Sequence, residues 1–337
     1  MDASELQQGL FQAIKASIPP SLSATEEIAR VLDVSVDSVY RRMRGEKTIS
    51  LEELHALCSH YKISLDHLMN LQSGTYQFQG NLLNEKTFRY EAYLESVLKN
   101  LVYFNSFNQK EFYYLNKDVP IFHHFHLREI AAFKHFFWMK TIFNFHGFAN
   151  TRFNFNFYSD DLWAMGKKII SEYNRLPSVE LWNVENINMA IRQIEFYRDS
   201  QLFESDRDAL ILYEAWEKVV DHIEKQAERG FKFNYGDPKI QSLGEYNVYF
   251  NEVMLGDNSM VLSLNGVKQS IVNHTNINYM ITRDMNFSEN LYEYVHSLMR
   301  RSTLISKVSE KERSRFFRIL KERIARRKEA LKHNLEK

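Results

Sequence analysis

Cysteine is nearly absent from the sequence, since Cys58 is the only one among 337 residues. A single thiol cannot form a disulfide within the chain or a cysteine-based metal cluster, so a reducing, cytoplasmic compartment is expected. Residues 1–18 carry Asp2, Glu5 and Lys15 and lack a long apolar core, which argues against a secretory signal. The most apolar stretch, 130–148, is interrupted by polar and charged side chains. It is therefore predicted to be a buried helical segment rather than a membrane span.

Glycine and proline are also scarce, with 11 and 5 residues, and 44% apolar and 26% charged residues are typical of a folded chain. Neither sign of charge dominates, because 43 Lys and Arg balance 43 Asp and Glu. The charge is nevertheless segregated along the chain. Residues 1–72 hold seven basic against ten acidic side chains, whereas residues 296–337 hold fourteen against five. The neutral total therefore neither indicates nor excludes a nucleic-acid partner.

Motifs of common catalytic sites are missing as well. The sequence has no Gly-rich phosphate loop, no G-x-S-x-G elbow and no H-E-x-x-H motif. Five histidines lie among the aromatic residues of 122–148, at spacings that match no known metal-ligand set. Core packing is the simplest interpretation of this segment, and a pocket for a flat or apolar effector is an alternative. We therefore expect no enzyme, no metal and no cofactor. The five histidines are His123, His124, His126, His135 and His146.

Residues 1–71 show the pattern of five short helices and are predicted to form an N-terminal domain. Ser23 and Ser50 are each followed by a glutamate three residues later, which is the spacing of a capping box. Ser35 can cap another helix that ends at Gly45. Residues 72–85 begin with a polar, glycine-containing stretch and are predicted to be a linker.

Residues 86–337 are predicted to form a second domain. Its first part, to residue 230, is helical and rich in aromatic residues, and from Tyr246 the hydrophobic period becomes two. Asn265–Gly266 is a type I′ hairpin signal, and two helices follow. The expected fold class is α+β and mostly α. It comprises a five-helix helix-turn-helix domain, an aromatic-rich helical region, a small antiparallel β-meander and C-terminal helices.

A helix-turn-helix pattern lies within residues 28–68. A short helix is followed by a three-residue turn at 33–35 and by a second helix whose surface is split. On one face of that second helix, Val36, Val39 and Met43 can point into the core of the domain. The opposite face is left for solvent or a partner and carries Asp37, Tyr40, Arg41 and Arg44.

Positive charge is concentrated at the end of this second helix. Four cations fall within seven residues and are opposed by Glu46. An arginine-bearing helix of this size fits the major groove of double-stranded DNA. The four cations are Arg41, Arg42, Arg44 and Lys47.

Residues 24–71 resemble the lambda-repressor-like helix-turn-helix of bacterial regulators, also called the xenobiotic-response-element type. The similarity rests on Ile28–Ala29, Ser35 with the turn before it, Val39, Arg44–Gly45 and Ile63–Ser64–Leu65. The chain also resembles long bacterial regulators in which a larger C-terminal region follows this module.

The resemblance implies a sequence-specific transcriptional regulator with a recognition helix over 35–45. Thr25 would meet a phosphate, and Arg42, Arg44 and Lys47 would lie near the DNA backbone. The larger C-terminal region would form a homodimer and sense a small-molecule or protein effector. The base-edge contacts implied by the resemblance are at Ser35, Val36, Asp37 and Arg41.

Two alternatives remain open at this point. The excess of acidic residues in 1–72 is unfavourable for DNA, and similar helical modules dock other proteins without DNA specificity. The basic C-terminal helix, 309–335, can pack its apolar edge on its own domain, form a dimer, or contact the DNA backbone.

Overall fold

We analysed a computed structural model that describes residues 3–19, 21–69, 75–80, 85–253, 256–275 and 277–335. The predicted fold class is confirmed: the chain is α+β and mostly helical. Within the described residues, the N-terminal domain contains the five expected helices. Pro20 and half of the predicted linker at 72–85 lie outside the described residues. The five helices are α1 (Ala3–Ser17), α2 (Ala24–Leu32), α3 (Val36–Met43), α4 (Leu51–Tyr61) and α5 (Leu65–Leu68).

The N-terminal helices share a small hydrophobic core. Leu10 and Ile14 of α1, Ile28 of α2, Val39 of α3 and Leu57 of α4 are all fully buried in it. Each of these helices places apolar residues at a spacing of three or four, so one stripe per helix meets at the centre. The core therefore positions α2 and α3 against α1 and α4.

The rest of the chain forms one sheet with helices on both of its faces. Residues 121–126 form a short 3₁₀ helix, and residues 138–142 form a short π-helix. The helices are α6 (Tyr90–Asn105), α7 (Arg128–Phe137), α8 (Asp160–Arg175), α9 (Asn186–Asp199), α10 (Asp206–Arg229), α11 (Met285–Arg300) and α12 (Glu310–Leu335). The strands are β1 (Lys110–Leu115), β2 (Ser178–Trp182), β3 (Tyr246–Phe250), β4 (Ser259–Leu264), β5 (Val267–Asn273), β6 (Tyr279–Thr282) and β7 (Thr303–Leu304).

The sheet is larger than the predicted meander. Its strand order is β6-β5-β4-β1-β2-β3-β7, with β1, β2 and β3 parallel and the other neighbours antiparallel. The later strands of the predicted meander are β4, β5 and β6, and the hairpin between the first two of these is confirmed. Asn265 and Gly266 have φ of 48° and 84°, as a type I′ turn requires. The strand expected from Tyr246 is β3, which pairs with β2 and β7 rather than with β4, so it is not part of the antiparallel meander.

Alternate residues of the strands face two different helical layers. Phe112 and Tyr114 of β1 join a large aromatic core under α6, α8 and α10, whereas Tyr113 and Leu115 pack towards α11. The segment 130–148 begins with α7, which is buried in the large core, as predicted. Among the helices of the described residues, none combines the length and apolar composition needed to cross a bilayer.

Helix α12 packs on α9 and α10, which is the first of the three alternatives that the sequence leaves open for it. Its apolar edge is buried, while Leu335, also predicted on this edge, has a side chain outside the described residues. Basic residues of α12 form ion pairs with acidic residues of the two helices beneath it, so its positive charge is largely neutralised within the molecule. The pairs include Lys321 with Asp221 and Glu224, Arg323 with Glu185, Arg327 with Glu195 and Lys328 with Glu217.

Candidate nucleic-acid interface

The turn between α2 and α3 has the local chemistry that the sequence predicts. Ser23 caps α2 by accepting the backbone N–H of Glu26 at 3.4 Å. Helix α2 ends at Asp33, whose φ of 52° reverses the chain, and Ser35 caps α3 by accepting the N–H of Ser38 at 3.3 Å. Three residues thus separate two capped helices, which is the helix-turn-helix arrangement.

Arg42 fixes α3 to the start of α4. Its side chain is only 2% exposed and forms a two-pronged pair with the carboxylate of Glu53, with Nε 3.0 Å from one oxygen. A third donor, Nη1, reaches the carbonyl of Ser38 at 3.0 Å. The hydrogen bond from Arg42 lowers the pKa of Glu53, so the pair stays charged at neutral pH.

The prediction that Arg42 contacts the DNA backbone is therefore wrong. A side chain that is 2% exposed and held by three hydrogen bonds to Glu53 and Ser38 cannot reach a phosphate outside the module. Glu53 also accepts the backbone N–H of its own helix cap, Ser50, at 3.2 Å. One carboxylate thus joins the start of α4 to the middle of α3.

Gln7 also secures the C-terminal end of α3, a role that was not predicted from the sequence. Its side-chain amide donates to the carbonyls of Arg42 at 2.7 Å and Lys47 at 2.9 Å, and its oxygen accepts the N–H of Ile49 at 3.0 Å. A signal was present, because Gln7 occupies the same stripe of α1 as the buried Leu10. A polar residue on an apolar face indicates a buried hydrogen-bonding role.

The outer face of α3 is left to solvent. Val36 and Tyr40 are 38% and 47% exposed, whereas Val39 on the opposite side is fully buried. The alternative that Val36 faces the core is therefore wrong. Apart from Arg42 and the partly buried Thr25, the predicted contact residues are all exposed, namely Ser35, Val36, Asp37, Tyr40, Arg41, Arg44 and Lys47.

One carboxylate lies between the exposed arginines. Glu46 is 2.8 Å from Nε of Arg44 and 3.8 Å from Nε of Arg41. All three side chains are about half exposed, so these pairs contribute little to stability and are screened by salt. Both arginines can exchange Glu46 for a phosphate or a base edge at small cost.

Thr25 lies in the first turn of α2, where it was predicted to meet a phosphate. Its hydroxyl is 3.0 Å from that of Ser23, so it joins the helix cap. The same turn contains Glu26 and Glu27, which stabilise the helix end but repel a phosphate. Thr25 is therefore less well placed for DNA than the residues of α3.

Four of the five histidines of 122–148 are buried, namely His123, His124, His126 and His135, whereas His146 is exposed and pairs with Glu85. His123 lies 3.0 Å from the buried carboxylate of Glu180, which also accepts hydrogen bonds from Tyr246 and Trp182 at 2.6 Å. Burial alone would raise the pKa of Glu180, but the facing His123 and the hydroxyl groups of Tyr173 and Tyr246, which donate to the carboxylate, lower it to about 2. Among the described residues, no group of three or more His, Cys, Asp or Glu is arranged to hold a metal ion.

Comparison with protein families identifies the N-terminal region. Residues 11–94 match the BetR domain, a helix-turn-helix-type DNA-binding domain. The match covers about a quarter of the chain and includes α2, α3 and α4. No curated protein and no solved structure matches the chain significantly.

Proposed function

We propose, from the premise that residues 11–94 are a helix-turn-helix-type DNA-binding domain, that this protein is a sequence-specific transcriptional regulator. The observation that carries the proposal is the division of α3 into two faces. Val39 and Arg42 hold the helix to the core, while Tyr40, Arg41 and Arg44 are exposed together on a surface that the fold does not use. Such a helix is free to enter the major groove of double-stranded DNA.

Each exposed residue has a role that suits its chemistry. Arg41 would read a guanine with two hydrogen bonds, which is worth about 1–3 kcal/mol of discrimination. Asp37 would accept from a cytosine amino group, and Val36 would contact a thymine methyl group. Arg44 and Lys47 would neutralise phosphates, with Ser35 at the edge of the groove.

Two copies of this module would read a longer operator. Residues 86–337 would hold the modules as a homodimer, and half-sites would then lie about 34–36 Å apart. We further propose that this region senses an effector and that the protein works in the cytoplasm by binding rather than by catalysis.

A protein-docking module is the second candidate. The observation in its favour is the acidic balance of residues 1–72, with ten acidic against seven basic side chains, together with the pairing of Glu46 to Arg44. A docking module would use the same exposed face of α3 for a protein partner and would bind DNA weakly and without sequence preference.

Selection of bound fragments from a random DNA pool separates the two candidates. The full-length protein should enrich one motif, and its affinity should fall steeply as salt increases. The double variant Arg41→Ala with Arg44→Ala should lose this enrichment, because Arg41 reads a base, and should reduce the salt dependence by about one phosphate, because Arg44 contacts one. Lys15→Ala, an exposed cation on α1, is the matched control and should bind as the unmodified protein does.

Two outcomes would contradict the regulator proposal. One is an unmodified protein that enriches no motif, and the other is a double variant that is folded and selects the same motif with the same affinity. The first result favours the docking module, whereas the second means that residues other than Arg41 and Arg44 read the DNA.

A further inference from the structure

A cleft of about 1090 Å³ lies between the N-terminal module and the sheet. Its wall on one side is the end of α4 and the turn after it, including Cys58 and Ile63. Its wall on the other side is the face of the sheet that carries Phe112, Met260 and Ile271. We call it the interdomain cleft. Its volume is at the upper end of the range of small-molecule sites, about 300–1000 Å³.

The floor of the interdomain cleft is apolar, with a few polar atoms at fixed positions. Aromatic and aliphatic side chains of α6, the sheet and the 3₁₀ segment 121–126 make up most of it, Phe104 and Phe122 among them. The hydroxyl of Tyr93 is buried there and has no hydrogen-bond partner within the described residues. A buried donor without a partner is costly, and a bound ligand with an acceptor atom would satisfy it.

The charged residues of the cleft have one sign. Among the described residues that line it, Lys62 and Arg89 are basic and none is acidic. Both cations are exposed to solvent, whereas the aromatic floor is covered. A ligand that complements this arrangement has an apolar body for the floor and an anionic group near the cations.

Gln79, which lines the cleft, forms hydrogen bonds to both the sheet and the N-terminal module. Gln79 pairs with Ile281 of β6 through two backbone hydrogen bonds of 2.7 and 2.8 Å. Its side-chain amide donates to the carbonyl of Lys62, where α4 ends, at 2.6 Å. The sheet edge, the linker and the end of α4 therefore meet at the cleft.

Helix α4 connects the cleft to the proposed DNA-binding face. Its last turn lines the cleft at Cys58, and its first turn holds Glu53, the partner of Arg42 in α3. A helix of 11 residues moves as a rigid rod, about 16 Å long. Any shift of its C-terminal end against the sheet is thus transmitted to α3 through the Arg42–Glu53 pair.

We propose that the interdomain cleft binds an organic acid with an apolar body, and that its occupancy changes the affinity of the module for DNA. The regulatory half of this proposal rests on the proposed function, whereas the binding half does not. The ligand class follows from the two cations, the apolar floor and the unpartnered hydroxyl of Tyr93. The coupling follows from α4 and Gln79.

The binding half is tested with anilinonaphthalene sulfonate as the probe and the full-length protein without DNA. Phenylnaphthylamine, which has the same rings without the sulfonate, is the uncharged counterpart. Cys58 is the only thiol of the sequence and lies in the wall of the cleft, so its rate of reaction with Ellman's reagent reports occupancy at this site. At a probe concentration ten times the dissociation constant, the reaction should slow by about tenfold.

Variants localise the probe to the cleft. Ala92→Trp on α6 adds bulk to the lining and should abolish protection of Cys58, whereas Glu95→Trp on the same helix lies outside the cleft and should not. Replacing Lys62 and Arg89 together by Met should weaken the sulfonate about tenfold or more and leave phenylnaphthylamine unchanged. Lys99→Met, a cation of α6 outside the cleft, is the matched control.

The regulatory half is tested by measuring DNA retention with and without the probe. The expected result is a change in affinity of fivefold or more, on the scale of ordinary allosteric coupling, which Ala92→Trp abolishes. Equal protection of Cys58 in Ala92→Trp, or equal affinity for the two probes, overturns the binding half. Protection of Cys58 with unchanged DNA affinity overturns the regulatory half. A protein that binds the probe but no DNA at all refutes the proposed function and with it the regulatory half, while the binding half stands.

Discussion

The buried pair between Arg42 and Glu53 gives the sharpest prediction. Arg42→Met keeps an unbranched side chain of similar length in the same space and removes the guanidinium. The carboxylate of Glu53, which is only 21% exposed, then loses its partner. Because the carboxylate is partly shielded from water, its negative charge is left poorly solvated, and the folded module becomes less stable.

The magnitude follows from the burial of the two partners. Removing one member of a fully buried ion pair costs about 3–5 kcal/mol. Water reaches a fifth of Glu53, which places the cost at the lower end, about 3 kcal/mol. Glu53→Gln retains an acceptor for the cap at Ser50 while removing the charge, so it isolates the electrostatic part of the pair. The double variant Arg42→Met with Glu53→Gln should lose less unfolding free energy than the two single variants together, by at least about 1.5 kcal/mol.

Native-state amide hydrogen exchange provides the assay. Val39 of α3 and Leu57 of α4 are fully buried in the core of the N-terminal module, and exchange of their amide hydrogens in increasing urea measures the free energy at which that module opens. All four tryptophans lie beyond residue 137, so their fluorescence reports separately on the second domain. Arg42→Met should shift the urea dependence measured for the N-terminal module to lower urea, and it should leave the unfolding curve from tryptophan fluorescence unchanged.

Two results would refute this reasoning. A loss below about 0.5 kcal/mol for Arg42→Met would mean that the pair does not hold α3 in place, since such a value is typical of surface changes. A changed salt dependence of DNA binding, measured where the variant is fully folded, would mean that Arg42 contacts phosphate after all.

Further predictions concern other buried polar groups. Gln7→Ala should lower the stability of the N-terminal module by about 2 kcal/mol, because buried backbone groups lose their partner, and the same hydrogen-exchange assay measures this loss. Burial lowers the pKa of His135 and His222 to about 4, so the unfolded chain binds more protons between pH 4 and 6.5, and stability should fall as the pH decreases through that range. His135→Phe should reduce the slope of unfolding free energy against pH by about 1.4 kcal/mol per pH unit, as measured by urea unfolding followed through tryptophan fluorescence. An unchanged slope would contradict the lowered pKa of His135. Glu180→Leu should cost more than about 3 kcal/mol in the same assay, because it leaves His123 and the other donors unpaired, and a near-neutral effect would count against the network.

The elements with strong local signals were predictable from the sequence. Ser23, Ser35 and Ser50 each start a helix because their hydroxyls cap the backbone, and Asn265–Gly266 forms its turn because both residues tolerate positive φ. These signals act over a few residues. They identify elements without saying how the elements assemble.

The parts that escaped prediction depend on distant partners. Strands β1 and β2 are covered on both faces, so their residues do not alternate between polar and apolar, and the aromatic residues of β1 resemble those of the helices around it. Arg42 looks like any other cation of its cluster until Glu53, eleven residues later in the chain, folds beside it. In the same way, the interdomain cleft unites Cys58, Tyr93 and Met260, whose proximity no local pattern indicates.

The two faces of α3 also bear on how such a protein can diverge. Val39 and Arg42 carry the packing, while Asp37, Tyr40 and Arg41 make no contact on which the module's core depends. Substitutions at the exposed positions should therefore change the free energy of unfolding very little. A duplicated copy could acquire a new operator preference by a few substitutions without first gaining stability. The same separation makes this helix a convenient scaffold for engineered recognition, with residues 37, 40, 41 and 44 varied and residues 39 and 42 held constant.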